Sequence, residues 1–571
     1  MAKIIVNNTF RPGGIRSIET LTDNINVVNL NIPIGKLQSE NIDFDLHNLI
    51  ETEFIKLKFD AIFIPVTIGK PYSDLLGLRL GLHLRFTKGV NQLTHIIFYS
   101  SVSIEEIGRS SELSEIIFQK GSTFCRLSKA ELRHYLDREY MDLSSSDLFS
   151  ISKSINIPHP SSLLDRNHSI SNIWGAERLA ALAKIDLPKK EHQKTLFFKW
   201  LHIHSQTTDL REEDLKNNLI VNSTANGLID NGIVRVLFVD DEFKNGWDLV
   251  LEEILNIVFG AKKFILDFAE NENEAIEKLK KEYSLIILDL RFGEEEHQED
   301  DIEKFTGFRL LKKCRTKWGN ANFSTPILMF TASNKIWILN KLIEAGADAY
   351  YIKENPEISV SKNFTIQNYY ELKQNFLRLR NLGEKKKKVK SIVKEINRLV
   401  SQSIRNENIK SRITEKMKIG YGILFRKAFR YEKEELLFNN EILAFVVFWS
   451  ILEEISKDFF GRKNDTDRKW IIHKINKDVS SDLNVSQENS VIPLSMQISV
   501  LLKYLHNGNT ALEKDFRENL NRYRNKIDFI HSSTDKILNS RLSEFEEDPK
   551  AFDKCLEMLN FIRDILSLKT V

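Results

Sequence analysis

Four short apolar runs between residues 233 and 353 each end on a polar residue. Ile233-Val-Arg-Val-Leu-Phe-Val leads into Asp240-Asp241-Glu242, Leu285-Ile-Ile-Leu into Asp289, Ile327-Leu-Met-Phe into Thr331, and Ala349-Tyr-Tyr-Ile into Lys353. Helical patterns, as in Ala275-Ile-Glu-Lys-Leu and Gly307-Phe-Arg-Leu-Leu, lie between them. Strands without polar alternation are buried on both faces, and strands separated by helices build a parallel sheet in an α/β layer fold. All four polar residues then fall at the carboxyl edge, where open α/β sheets bind ligands. Carboxylates from Asp240, Asp241 and Asp289 gathered there would repel one another unless a cation sits among them. Oxygen ligands with room for water and phosphate suit Mg²⁺.

This set resembles the receiver domain of two-component response regulators over about residues 233–356. Its elements appear in order: Val239-Asp-Asp-Glu, Leu288-Asp-Leu, Gly307, Phe330-Thr-Ala-Ser, and Ala345-Gly-Ala-Asp-Ala-Tyr-Tyr-Ile-Lys. The resemblance implies a doubly wound, flavodoxin-like parallel sheet in a domain spanning 233–380, and a cognate histidine kinase as partner. It implies Asp289 as phosphoacceptor. Asp240, Asp241 and Asp289 would hold Mg²⁺ with the backbone carbonyl of Arg291. Thr331 and Lys353 would contact the phosphoryl oxygens, and Tyr351 would be the aromatic that reorients on activation. A carboxylate becomes a usable nucleophile once metal and Lys353 neutralise the phosphoryl charge. Two features depart from the pattern. A receiver has Pro directly after its Lys, whereas Glu354-Asn355 precede Pro356 here. The loop from Asp289 to Gly307 is long and carries Glu294-Glu-Glu-His-Gln-Glu-Asp-Asp, which would cover the site, slow phosphate exchange, or bind a cation or a basic partner.

The first 130 residues hold what reads as a faded copy. Asp60-Ala-Ile-Phe-Ile-Pro-Val-Thr-Ile-Gly69 aligns without gaps on Ser284-Leu-Ile-Ile-Leu-Asp-Leu-Arg-Phe-Gly293. Gly77 to Arg85 matches Gly307 to Arg315 at Gly, Arg, Leu and Arg, and Thr94-His-Ile-Ile-Phe-Tyr-Ser-Ser parallels Thr325-Pro-Ile-Leu-Met-Phe-Thr-Ala. Pro65 thus stands where Asp289 does. Val27-Val-Asn-Leu-Asn is the expected first strand, without an acid pair, and Ile116-Ile-Phe-Gln-Lys120 the expected last. The expectation is a receiver-like α/β domain that kept its sheet and lost its chemistry. Residues 131–232 read as a partly helical connector packed on its neighbours.

After about residue 357 no strand is expected. Lys385-Lys-Lys-Lys opens a helical linker over 381–431, read as a solvated charge run. From 432 to 571 apolar residues recur at helical spacing, as in Phe445, Phe448, Trp449 and Leu452, and predict an all-α bundle. Near its end, Arg524 and His531 stand two helical turns apart and face the same way. Arg is a permanent cation shaped for phosphate, and His exchanges protons near neutral pH. A salt bridge of Arg524 with Asp528, and His531 as a helix cap, account equally for that spacing. The segment Arg524-Asn525-Lys-Ile-Asp-Phe-Ile-His531 resembles the Arg–polar–x(4–6)–His motif of HEPN domains, many of which are metal-independent ribonucleases. The resemblance implies an acid on an earlier helix, Glu453 or Glu454, a catalytic set of Arg524, Asn525, His531 and Glu454, a homodimer with a shared cleft, an RNA substrate, and no cofactor at that site.

The 571 residues carry 82 Lys+Arg against 80 Asp+Glu, a net charge of +2, which excludes a globally basic nucleic-acid coat but not a local patch. The three cysteines form no CxxC, so neither a disulfide framework nor a Cys-rich zinc site is indicated. The most apolar stretch, Ile442 to Leu452, falls short of the ~20 residues of a membrane span. No membrane association and a cytoplasmic location are expected. Together these readings predict a phosphorylation-regulated response regulator whose helical output is an RNA endonuclease, in stress or phage defence by analogy. The alternative is a non-catalytic regulator whose output domain binds a partner protein or nucleotide.

Overall fold

The computed structural model describes residues 2–7, 27–32, 42–68, 75–158, 167–188, 190–205, 233–292, 296, 301–316, 320–332, 335–356, 362–425, 440–464, 467–473, 476–483, 492–505, 510–527 and 550–567. His531 and most of the acidic loop after Asp289 lie outside the described residues.

Two five-stranded parallel sheets dominate. The first holds β1 (Lys3–Asn7), β2 (Val27–Asn31), β3 (Ala61–Pro65), β4 (His95–Ser100) and β5 (Ser122–Arg126) in the order β2-β1-β3-β4-β5. Around it lie α1 (Ile42–Glu53), α2 (Leu76–Phe86), α3 (Ile104–Ser110) and α4 (Lys129–Leu136). The connector supplies α5 (Ser145–Ser154), α6 (Asn167–Ala183) and α7 (Leu196–His204). The second sheet holds β6 (Val234–Val239), β7 (Phe264–Ala269), β8 (Leu285–Asp289), β9 (Ile327–Thr331) and β10 (Ala349–Ile352), with β6 and β8 central and β7 and β10 at the edges. Its helices are α8 (Trp247–Phe259), α9 (Glu272–Lys278), α10 (Thr306–Thr316) and α11 (Ile336–Glu344). Both sheets share one winding, 2-1-3-4-5 in strand sequence, the flavodoxin-like order with its switch point between the first and third strands.

Two strand assignments in the first unit need correction. Residues 27–31 form the second strand, and Ile4-Ile-Val of β1 is the first. Residues 112–118 form a 3₁₀ turn, and the last strand is β5. The gapless alignment of Asp60 onto Ser284, by contrast, places β3 on β8 residue for residue.

The duplication extends into side-chain detail. Gly77 N–H donates to Val66 O and Gly307 N–H to Leu290 O, both at 3.1 Å. A Cβ would fall 1.6 Å from Pro65 O at Gly77 and 1.9 Å from Asp289 O at Gly307, so only glycine lets these helices reach the strand end. Buried Asn91 donates to Phe54 O and Leu57 O and accepts from Phe59 N; buried Asn322 donates to Leu279 O and Lys281 O and accepts from Tyr283 N. Arg85 reaches Thr94 O and Gly121 O, and Arg315 reaches Thr325 O and Gly346 O. Each arginine finds its acceptors among loop carbonyls, as a buried polar group requires.

The C-terminal third runs from α12 (Lys362–Ser403) through α13 (Glu407–Phe425), α14 (Asn440–Phe459), α15 (Leu494–Leu505), α16 (Thr510–Asp515), a π-helical turn over Phe516–Asn521, α17 (Arg522–Ile527) and α18 (Ala551–Ser567). One core joins the second half of α12 to α13, α14, α15 and α18. The region is largely helical but not wholly so. A three-stranded antiparallel sheet, β11 (Phe460–Asn464), β12 (Asp467–Ile472) and β13 (Lys477–Asp478), follows α14, where an all-α bundle without strands was expected. The lysine run is not simply solvated either. Lys386 is buried and ion-paired with Asp348, which Arg315 also binds at 2.9 Å. No described helix is long and apolar enough to cross a membrane.

Candidate functional site

The site lies where β6 and β8 diverge. Asp240 follows β6, Asp289 ends β8, Thr331 ends β9 and Lys353 follows β10; all four side chains are buried. Carboxylate oxygens of Asp240, Asp241 and Asp289 lie within 4.8 Å of one another. Lys353 Nζ sits 2.8 Å from Asp240 Oδ2 and 3.3 Å from Asp289 Oδ1. Burial alone would lower the Lys353 pKa, but Asp240 and Asp289 overcome it and hold the ammonium above its ordinary value. One ammonium against three carboxylates leaves the cluster anionic, and its all-oxygen donors fit a hard divalent cation. The backbone supports the geometry: Glu242 N–H donates to Asp240 Oδ1 at 2.7 Å, and Lys353 N–H to Thr331 O at 2.7 Å. The Arg291 guanidinium stacks 4.4 Å from the Phe305 ring.

Tyr351 lies in the core rather than over the site. It is 2% exposed, stacked on Phe330 at 5.0 Å and edge-on to Trp247 at 6.4 Å. Burial raises its hydroxyl pKa well above the usual value. Reorienting this ring would empty packed volume. Its neighbour Tyr350 is 38% exposed on the edge strand.

Equivalent positions in the first unit follow from register. The pairs Ile5↔Phe63 and Phe238↔Ile287, with β3 aligned on β8, place Asn7 at Asp240. Ser100 stands at Thr331. Leu127 stands at Lys353, since Leu127 N–H donates to Ser100 O at 2.8 Å as Lys353 N–H does to Thr331 O. With Pro65 at Asp289, the nucleophile, one metal-ligand position and the lysine have all been replaced. Asn7 and Leu127 escaped the sequence reading because neither β1 nor β5 was read as a strand.

A further set of site residues, contributed by the connector, carries no sequence signal. Asn172 of α6, fully buried, accepts from Lys353 Nζ through Oδ1 and donates through Nδ2 to Glu242 Oε2 at 2.7 Å. Two turns on, buried Arg178 binds Glu354 Oε1 at 3.3 Å, Thr365 Oγ1 at 2.9 Å and Ser205 O at 3.0 Å. Glu354 is the residue that takes the place of the proline expected after Lys353.

In the C-terminal region, Arg524 lies 5.4 Å from the Trp449 ring, Asn525 beside it is exposed, and Tyr523 packs edge-on against Phe445 at 4.9 Å. The π-helical turn immediately precedes this segment, a distortion frequent at functional sites. Glu454 is buried under Arg412 at 2.9 Å, Lys416 at 3.0 Å and Lys457 at 3.1 Å. Burial would raise its pKa, but Lys416 and Lys457 outweigh it and hold the carboxyl below its ordinary range. On α14, Glu454 stands about 140° around the axis from Trp449, whereas exposed Glu453 stands about 40° away.

Residues 16–125 match the family described as Inactive Receiver domain. Among solved structures, the chain is similar to a CheY-like response regulator receiver domain protein from Methanospirillum hungatei JF-1, at 19% identity and TM-score 0.17, covering 25% of this chain and 98% of that one. It is similar also to a putative response regulator from Chloroflexus aurantiacus J-10-fl, at 23% identity and TM-score 0.18, covering 25% of this chain and 98% of that one. None of the curated proteins matches. The family match and the replaced residues agree: the N-terminal unit is similar to an inactive receiver, and Asn7, Pro65 and Leu127 stand where the second unit has Asp240, Asp289 and Lys353. The same winding recurs in residues 233–356, with those groups present.

Proposed function

We propose that this protein is a phosphorylation-regulated response regulator whose C-terminal helical region is a metal-independent RNA endonuclease of HEPN type. The observation that carries the first half is the buried Lys353 clasped between Asp240 and Asp289. Asp289 attacks the phosphorus of a histidine kinase's phosphohistidine. A carboxylate O–P bond forms, the N–P bond breaks, and its electron pair stays on the imidazole nitrogen. Lys353 and the Thr331 hydroxyl bind the transferred oxygens. Asp240, Asp241 and Asp289, with the Arg291 carbonyl, would hold Mg²⁺, which supplies further neutralisation of phosphoryl charge when bound.

The second half is supported by Arg524 against Trp449 with exposed Asn525 alongside. In this reading two chains pair their motifs. A substrate 2′-hydroxyl attacks the adjacent phosphorus while the 5′-oxygen leaves, giving a 2′,3′-cyclic phosphate and a free 5′-hydroxyl. His531 moves the protons, Arg524 stabilises the charged phosphorane, and Asn525 orients it. The test is RNA degradation by purified full-length protein with acetyl phosphate, wild type against His531→Ala. Loss of cleavage in the variant is expected, and equal degradation sinks the assignment.

One observation favours a second reading. Three cations sequester Glu454, and an acid held that way is structural rather than catalytic. A helical output that binds a partner protein or nucleotide without chemistry then predicts no cleavage with any donor, and weakened association in Arg524→Ala.

A further inference from the structure

Helix α6 has two apolar faces. Ile170, Ile173 and Trp174 enter the core of the N-terminal unit, while Ala176, Leu179, Ala180 and Leu182 enter the core of the second α/β unit. It therefore belongs to both. At Gly175 the helix comes so close that a Cβ would lie 3.2 Å from Glu354 N and 3.0 Å from the Trp247 ring. Asn172, a turn earlier, projects into the carboxylate pocket.

An ammonium has three hydrogens to donate. Lys353 donates to Asp240 and to the Asn172 carboxamide, and faces Asp289 as an ion pair at 3.3 Å, so all three of its neighbours are protein oxygens. Forming the O–P bond takes the charge off the Asp289 carboxyl and sets two or more anionic phosphoryl oxygens beside the same nitrogen, so a second phosphoryl oxygen competes with Asn172 for one ammonium hydrogen. Hydrogen bonds between charged partners are roughly twice as strong as neutral ones. The neutral amide is the weakest of the three acceptors, and it is the one delivered by another structural unit.

We propose that Asn172 is a displaceable stand-in for a phosphoryl oxygen, so that phosphorylation of Asp289 and docking of α6 compete for Lys353. Resting on the phosphotransfer reading above, this assigns the inactive N-terminal unit a role: through α6 it holds the resting state of the active one. Once Asn172 is expelled, Glu242 also loses its 2.7 Å donor, and the polar hold of α6 on this edge passes to Arg178 on Glu354 and Thr365. Asn172 is a positioning residue, since it acts through Lys353.

The test uses the full chain with acetyl phosphate and Mg²⁺, phosphate-affinity gel mobility for the rate, and Asp289→Ala as blank. Asn172→Ala removes the competitor and is expected to phosphorylate about tenfold faster than wild type, given what a hydrogen bond to a charged group contributes. Asn172→Asp keeps the shape but pairs a carboxylate with Lys353, and is expected to phosphorylate about tenfold slower. Opposite shifts at one atom position cannot arise from misfolding. Hydrogen exchange supplies a second readout: peptides of 167–183 should exchange faster in phosphorylated wild type. Equal rates for all three, or unchanged exchange in α6 on phosphorylation, overturn the competition while leaving phosphotransfer intact. No phosphorylation in wild type or either variant overturns both.

Discussion

Arg178 is a buried cation at the seam between the two α/β units. Its guanidinium is fully buried and joins three segments: its own helix α6, Ser205 after α7, and the Glu354–Thr365 pair at the start of α12. Burial lowers the Arg178 pKa, and Glu354 offsets part of that loss. Arg178→Met keeps the packing on Trp174 and removes the charge. Glu354 would keep the Thr365 hydroxyl at 2.6 Å and lose the guanidinium now 3.3 Å away. Removing one partner of a buried ion pair costs about 3–5 kcal/mol, most of it the uncompensated charge. For a unit of 150–250 residues this is a fall in Tm on the order of 10 °C. Several units need not unfold together, so the measurement is urea-dependent hydrogen exchange on peptides of α6 and β10 rather than a whole-chain melt. The double variant Arg178→Met with Glu354→Gln removes both charges and should recover all but about 1 kcal/mol. If Arg178→Met costs under about 1 kcal/mol, or the double variant is no better than the single, the ion pair does not hold the units together.

Two further outcomes follow from the duplicated scaffold and its surroundings. Gly307→Ala and Gly77→Ala each drive a Cβ into a strand-end carbonyl, and each should destabilise its own unit by about 3 kcal/mol, the upper range for overpacking, read as lost exchange protection confined to that unit. The N-terminal unit should also weaken in mild acid. His83 is buried against Asp43 at 3.0 Å and Lys199 at 3.1 Å, with Arg79 on the same carboxylate, and burial lowers its pKa to about 4. Between pH 4 and its unfolded value of about 6.5 the unfolded chain binds the extra proton, so stability is full above that range and is lost as pH falls through it. From pH 7.5 to 5 the loss is about 2 kcal/mol. Lys199, which burial lowers to about 7, adds in the same direction. A His83→Gln unit should show a flatter profile, and an unchanged profile would mean His83 is charged in the fold.

Four of the five strands of the second sheet were legible because continuous apolar runs ended on polar residues, a pattern that few structures other than buried parallel strands produce; the edge strand β7 was missed because Asp267 interrupts its apolar run. β3 and β4 were found by their likeness to that sheet. β1 was overlooked because five residues at a chain start carry no flanking helix pattern to mark them. β5, with Ser122, Thr123 and Cys125, lacks the apolar density that 112–118 shows, so the 3₁₀ turn took its place in the reading. The hairpin after α14 was missed because Arg462, Lys463, Asp467 and Arg468 make its strands polar. Lys386 was misread because its partner, Asp348, lies 38 residues earlier. Asn172 had no signal at all: one amide in a helix becomes a site residue only when two other units are folded around it.

Helix α12 has a mechanical consequence. It is one unbroken helix of 42 residues, seated near its middle where Gly383 lies against Pro326 and Lys386 pairs with Asp348. On one side of that seat Ile366, Tyr369, Leu372, Phe376 and Leu379 lie in the core of the second α/β unit, and on the other Val389, Val393, Ile396 and Val400 lie in the core of the C-terminal region. One rod thus belongs to two cores, about 36 Å of it before Lys386 and about 25 Å after. A shift of the near half cannot be absorbed by a loop and must be met by repacking in the far core.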